Sequence, residues 1–130
     1  MSKLFKGVVV AITLLSGLPL VYAQKAAEIF IPLGQSPGLS GKHTSIGKIT
    51  AIDAREQTIA VADSAGSYIV KITERTQIWL DKSKLKLTNQ KGAFADFRKD
   101  LLVEVKYEDN QRRDKVPAEW IKVQIIEGVK

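Results

Sequence analysis

Residues 34 to 45, GQSPGLSGKHTS, hold the residue types that cradle a phosphate: three glycines, and a Gly41–Lys42 pair with Thr44 close behind. A phosphate loop needs G-x-x-x-x-G-K-[ST] between a strand and a helix, so that backbone N–H groups and the helix N-terminus converge on the anion. Here six residues lie between Gly34 and Gly41 and two between Gly38 and Gly41, and His43 follows Lys42. The next run, SIGKIT, is β-type and starts no helix. Nucleotide binding is set aside, and the stretch reads as a flexible loop leading into a first strand.

Other carriers of chemistry are few. His43 is the single histidine, there is no cysteine, and neither G-x-S-x-G nor H-E-x-x-H occurs. Glu104 and Glu108 lie on one predicted strand, about 13 Å apart at ~3.3 Å per residue. That is wider than either glycosidase separation, and with Lys106 between them they read as a solvated face. Asp53, Asp63, Asp81 and Asp109 each end a predicted strand, where Asp caps turns, and none has the spacing of a calcium loop. The expectation is a chain with no catalytic residue, no metal ligand and no cofactor, and not an enzyme.

The run WLDKSKLKLTNQK, residues 79 to 91, is more informative. If it is extended, Lys82, Lys84 and Lys86 share one side and Ser83, Leu85 and Leu87 the other. Such a row attracts an anionic polymer, and it also keeps an exposed edge strand from pairing with other chains. Trp79 and Trp120 fall on the outward parity of their strands, as do Lys71 and Lys122. Sugar rings and bases stack on tryptophan. The expected ligand-binding set is therefore Trp79, Trp120, Lys82, Lys84, Lys86, Lys71 and Lys122. The segment EIFIPL before the loop either leaves those rings open or folds back over them.

The elements that position these residues are short strands. IGKITAID needs a bulge near Thr50–Ala51 to bring Ile49 and Ile52 onto one face. QTIAVAD and SYIVKIT flank a tight SAG turn, and TQIWL is a further extended run. AFADFRKD makes a short helical turn with Phe94 and Phe97 on one side. LLVEVKYE turns Leu101, Val103, Val105 and Tyr107 inward. After the polar loop DNQRRDKVP, AEWIKVQII turns Ile121, Val123 and Ile125 inward. Turns about every ten residues, without a long amphipathic helix, predict an all-β fold. One short helix between a strand triplet and a strand pair predicts a five- to six-stranded OB-like Greek-key barrel, with that helix before the fourth strand.

The first 23 residues stand apart. Lys3 and Lys6 precede the apolar run GVVVAITLLSGLPLVYA, and Val21 and Ala23 form a small-residue cleavage pattern before Gln24. This is the pattern of a signal peptide, and the run falls short of the ~20 residues of a membrane span. The predicted organisation is a signal peptide over 1–23, a flexible segment over 24–45 and the barrel domain over 46–130. No span remains after cleavage, and no cysteine is present for a lipid anchor. A cysteine-free exported chain points to the bacterial periplasm or secretion rather than to a disulfide-stapled extracellular domain. The net charge of +6 from 20 basic and 14 acidic residues includes the leader's Lys3 and Lys6, so the balance of the domain decides little.

From Gly47 onward the chain resembles a class of small secreted bacterial β-barrel domains catalogued only as a domain of unknown function. The likeness rests on Gly47–x–Ile49, Thr76–x–Ile78, FADFRKDLLVEVKY and a last strand beginning Ala118–x–x–Ile121. Lys99–Asp100 stands where that pattern has a turn glycine. The resemblance implies the fold and no catalytic residues. Two functions follow as expectations: a module binding an anionic glycan or other polyanion on the Trp/Lys face, or an accessory of an envelope protein assembly acting through Ile29 to Leu33.

Overall fold

The computed structural model describes residues 27–127. The expected signal peptide and its cleavage point at Ala23 and Gln24 lie outside the described residues. Within them the protein is mostly β, with seven strands in one sheet and helix confined to three single 3-10 turns. No helix among the described residues is long and apolar enough to cross a membrane.

The first three strands are β1 (Thr44–Asp53), β2 (Thr58–Asp63) and β3 (Gly66–Lys71), a meander in antiparallel register. The register of β1 slips between Ile49 and Ala51, so Ile49 opposes Val61 and Ile52 opposes Ile59. This is the expected bulge. Asp63 closes the next turn by accepting the N–H groups of Ala65 and Gly66. Such Asx geometry is the reason an Asp ends the strand.

β4 (Gln77–Asp81) is followed by the 3-10 turn η2 (Ser83–Leu85) and the two-residue strand β5 (Gln90–Lys91). A further 3-10 turn, η3 (Phe94–Asp96), forms where one short helix was predicted. Its Phe94 meets Phe97 edge to face at 5.3 Å, and Phe97 is buried in the core. The Lys99–Asp100 turn then puts Asp100 at φ 73, a left-handed conformation that glycine adopts most easily.

β6 (Leu102–Tyr107) and β7 (Val116–Gln124) form the central hairpin. Their inward residues, Val103, Val105, Ile121 and Val123, are completely buried. The sheet order is β3-β2-β1-β6-β7-β4-β5, with one additional parallel pairing of β3 to β7. One side of β7 pairs with β6. Its other side pairs with β3 at Val116 and Pro117 and with β4 from Trp120 to Gln124. Between those two partners the Thr76 hydroxyl donates to the Ala118 carbonyl at 2.7 Å, so the break between β3 and β4 leaves that acceptor bonded.

The segment expected to be flexible, 24–45, behaves differently over its described part. β1 already begins at Thr44, and a 3-10 turn η1 (Glu28–Phe30) with the loop behind it lies on the sheet, burying Glu28, Leu33 and Ser36. Polar side chains pin it there, which is why apolar content alone did not reveal the packing.

Gly47 sits where the sheet leaves no room for a side chain. A Cβ at this position would stand 2.3 Å from the Ala62 carbonyl oxygen and 2.8 Å from its carbon. Backbone on a paired strand cannot step aside cheaply. Gly47→Ala should therefore cost about 3 kcal/mol or more, read as a lower urea midpoint at unchanged slope.

Candidate functional site

The outer side of β4, β7 and β6 carries the aromatic and charged residues that parity had placed there. Trp79 is the register partner of Lys122, and Glu104 faces Lys122 from the other side. The two indoles stand 5.6 Å apart at 31°. The Lys122 ammonium lies 4.8 Å from the Trp120 ring centroid, within reach of a cation–π attraction. The structure thus brings Trp79, Trp120 and Lys122 together. It also buries them: Trp79 is 8% exposed, Trp120 4% and Lys122 1%.

The chain's own segment from Glu28 to Ser40 forms a strap on this side of the sheet and supplies the groups that bond Lys122 and its neighbour Glu104. Lys122 donates to Glu28 Oε1 at 2.7 Å, to the Ile31 carbonyl at 3.0 Å and to Ser36 Oγ at 3.0 Å. All three protons of the ammonium are met, and the Ser36 hydroxyl bonds Glu28 in turn. Glu104, fully buried, accepts from Gly34 N at 2.9 Å, Ser40 Oγ at 2.5 Å and Thr44 Oγ1 at 2.8 Å. Asp81 accepts the Leu33 N–H at 2.8 Å and the Ser83 N–H at 2.9 Å. Asn89 joins the Lys82 N–H to the Ile29 carbonyl.

The glycine-rich loop therefore does hold an anion, but the anion is the carboxylate of Glu104. Gly34, Gly38 and Gly41 take φ of 83, 76 and 78, which lets the loop turn its N–H and hydroxyl groups onto that carboxylate. Sequence reasoning missed Glu28, Ser36 and Glu104. Glu104 reads as a solvated residue on an alternating strand, and only the β6–β7 register sets it across from Lys122.

The remaining lysines lie elsewhere. Lys82, Lys84 and Lys86 do not form an extended row, because η2 folds the run into a turn ending with Lys86 at φ 59. Lys84 and Lys86 are exposed, and Lys82 reaches Gln90 Oε1 at 3.0 Å. Lys71 is exposed at the end of β3, next to Pro117 of β7. The turn follows Asp81, which is paired with Gln124. Those two positions are about 23 Å apart along β7 at ~3.3 Å per residue, so Lys71 and the turn are separate sites.

The two carboxylates of β6 and its exit are already engaged. Glu104 is committed to the strap, and Glu108 is paired with Arg75 at 3.1 Å. His43 is exposed in the loop. No group of three or more metal-ligating side chains occurs among the described residues. The Asp63 carboxyl is held below its ordinary 3.8, chiefly by the Tyr68 hydroxyl that bonds it at 2.5 Å, and then by the turn N–H groups against some burial. Tyr68 is pushed above 10.0, first by burial and then by Asp63. A carboxyl lowered in the folded state contributes stability that is full above its unfolded value and lost as pH falls through the folded one. Asp63→Asn should therefore flatten the loss of stability on acidification below about pH 4, measured by urea titration at stepped pH.

The chain matches no protein-family model, no curated protein and no solved structure. Fold and side-chain geometry carry the functional reading.

Removing one partner of a buried ion pair leaves the other charge uncompensated. Lys122→Met should cost about 3–5 kcal/mol and open both indoles to acrylamide quenching, while the double variant Lys122→Met/Glu28→Leu recovers much of the loss. Unchanged quenching and stability in the single variant would show that the strap does not depend on the pair.

Proposed function

We propose that the protein is an exported, non-catalytic binding module that holds an anionic polymer on the lysine turn between β4 and β5. The observation that carries this reading is the run Lys82–Lys91: four lysines, no acidic residue from position 82 to position 93, and Lys84 and Lys86 exposed on the turn. The turn is braced at both ends. Asp81 and Asn89 bond the turn's Ser83 and Lys82 N–H groups and tie it to Leu33 and Ile29 of the strap, so ordering it for a ligand costs little further entropy. The buried indoles have a structural role in this reading, and lysine charge supplies the affinity.

A small OB-like Greek-key barrel is the fold we assign to the module. The circuit of pairings β1–β2–β3–β7–β6 and back to β1 supports a closed five-stranded barrel. The connection holding β4, η2, β5 and η3 then stands where such barrels place a helix between their third and fourth strands. Export to the bacterial periplasm or beyond follows from the leader pattern of residues 1–23. A second reading, a protein-binding accessory of an envelope assembly acting through Ile29 to Leu33, has the exposure of Phe30 in its favour.

The anionic-polymer reading is tested in one titration. Labelled sulfated oligosaccharide and single-stranded oligonucleotide are followed by anisotropy at ~50 and ~200 mM salt. Four phosphate contacts predict affinity falling roughly fiftyfold between them. The triple variant Lys82→Ala/Lys84→Ala/Lys86→Ala should lose most of that slope, and Lys71→Ala should keep it. Absence of binding at the lower salt, or a slope untouched by the triple variant, would sink the anionic-polymer reading.

A further inference from the structure

The same turn carries apolar side chains that a soluble polymer does not need. The three most exposed large hydrophobic residues of the described chain are Phe30, Leu87 and Ile126, at 62%, 58% and 54%. They come from three distant parts of the sequence, yet the backbone at or next to each of them is hydrogen-bonded at the end of β4 or in the turn after it. Leu87 follows η2, and its N–H bonds the Lys82 carbonyl. Phe30 belongs to η1, whose Ile29 carbonyl is held by Asn89. Ile126 follows Ile125, whose N–H bonds the Asp81 carbonyl.

Exposed apolar side chains interleaved with lysines form a particular kind of surface. A polyanion rewards the lysines and leaves Phe30, Leu87 and Ile126 in water. A protein partner that covers the apolar trio must also neutralise Lys84 and Lys86. A lipid surface with anionic headgroups satisfies both at once: phosphates meet the ammonium groups, and the apolar side chains enter the boundary between headgroup and acyl chain. The turn itself carries no carboxylate, and the exposed Glu127 beside Ile126 is the acidic neighbour that the lysines of the turn outnumber.

We propose that this end of the fold docks on an anionic membrane surface, with Lys84 and Lys86 at the phosphates and Phe30, Leu87 and Ile126 inserted beside them. The inference rests on the lysine turn being an anion site and adds that the anions are lipid headgroups. The strap gives the docking end its shape, because η1 reaches the turn only while Lys122 and Asn89 hold the segment down. Docking of this kind is peripheral and reversible, since a few side chains provide the anchorage.

The test is cosedimentation of the purified chain, its N-terminus read by mass spectrometry, with vesicles of phosphatidylcholine alone or mixed with phosphatidylglycerol. Wild type should bind the mixed vesicles and leave the neutral ones. Each lysine removed from the turn should weaken binding about fivefold. The variant Phe30→Ser/Leu87→Ser/Ile126→Ser should weaken it about a hundredfold while keeping its affinity for the sulfated oligosaccharide. Lys86→Gly relieves the left-handed backbone and removes one charge, so it should match or exceed wild-type stability and still bind vesicles less. Polyanion binding with vesicle binding absent, indifferent to lipid charge, or unmoved by the triple serine variant would overturn the membrane inference and leave the anion site standing. Loss of both activities would overturn the two together.

Discussion

A buried ammonium organises this structure. Lys122 sits on a central strand with its side chain closed off from water, and an unpaired charge there would cost several kcal/mol. It is met instead by a carboxylate, a carbonyl and a hydroxyl, all supplied by the segment preceding β1. That requirement dictates where residues 28–36 must lie. Once they lie there, the indoles of Trp79 and Trp120 are covered and the outer side of β4, β7 and β6 becomes interior.

Glu104 completes the arrangement from the neighbouring strand. Its carboxylate faces Lys122 across the β6–β7 ladder but takes its hydrogen bonds from Gly34, Ser40 and Thr44. Two opposite charges next to each other on the sheet thus hold opposite kinds of group on the strap. The ammonium takes the acceptors, and the carboxylate takes the donors. Acceptors at Glu28, Ile31 and Ser36 and donors at Gly34 and Ser40 must all fall in place for both to be satisfied, so the pair specifies one register for the segment rather than merely attracting it. The lysine turn inherits its position from the same fixture through Asn89 and Asp81, and the proposed docking end is therefore a consequence of the buried pair.

Much of the fold was legible in the chain. Strict alternation in LLVEVKYE and in WIKVQII identified the inward residues of β6 and β7, because one buried face imposes a period of two. The β1 bulge was legible from the broken parity of Ile46, Ile49 and Ile52, and the Asp at the end of each strand from turn chemistry. The two-residue strand β5 was not, since two residues carry no period. The lysine row failed for a related reason. KSKLK alternates as a strand does, but η2 forms because the run leaves the sheet after Asp81 and no partner strand continues beside it.

The candidate site shows the same division. Which residues are aromatic, which are basic and which way each points from its strand were determined by the sequence alone, since parity is a local property. Whether an outward residue meets water was decided only by the tertiary structure. Exposure of Trp79, Trp120 and Lys122 depends on a segment about ninety residues away in the chain for Lys122, and it packs through hydrogen bonds that leave no hydrophobic period to read. The glycine loop is the clearest instance: its composition announced an anion, and only the fold could say that the anion was Glu104.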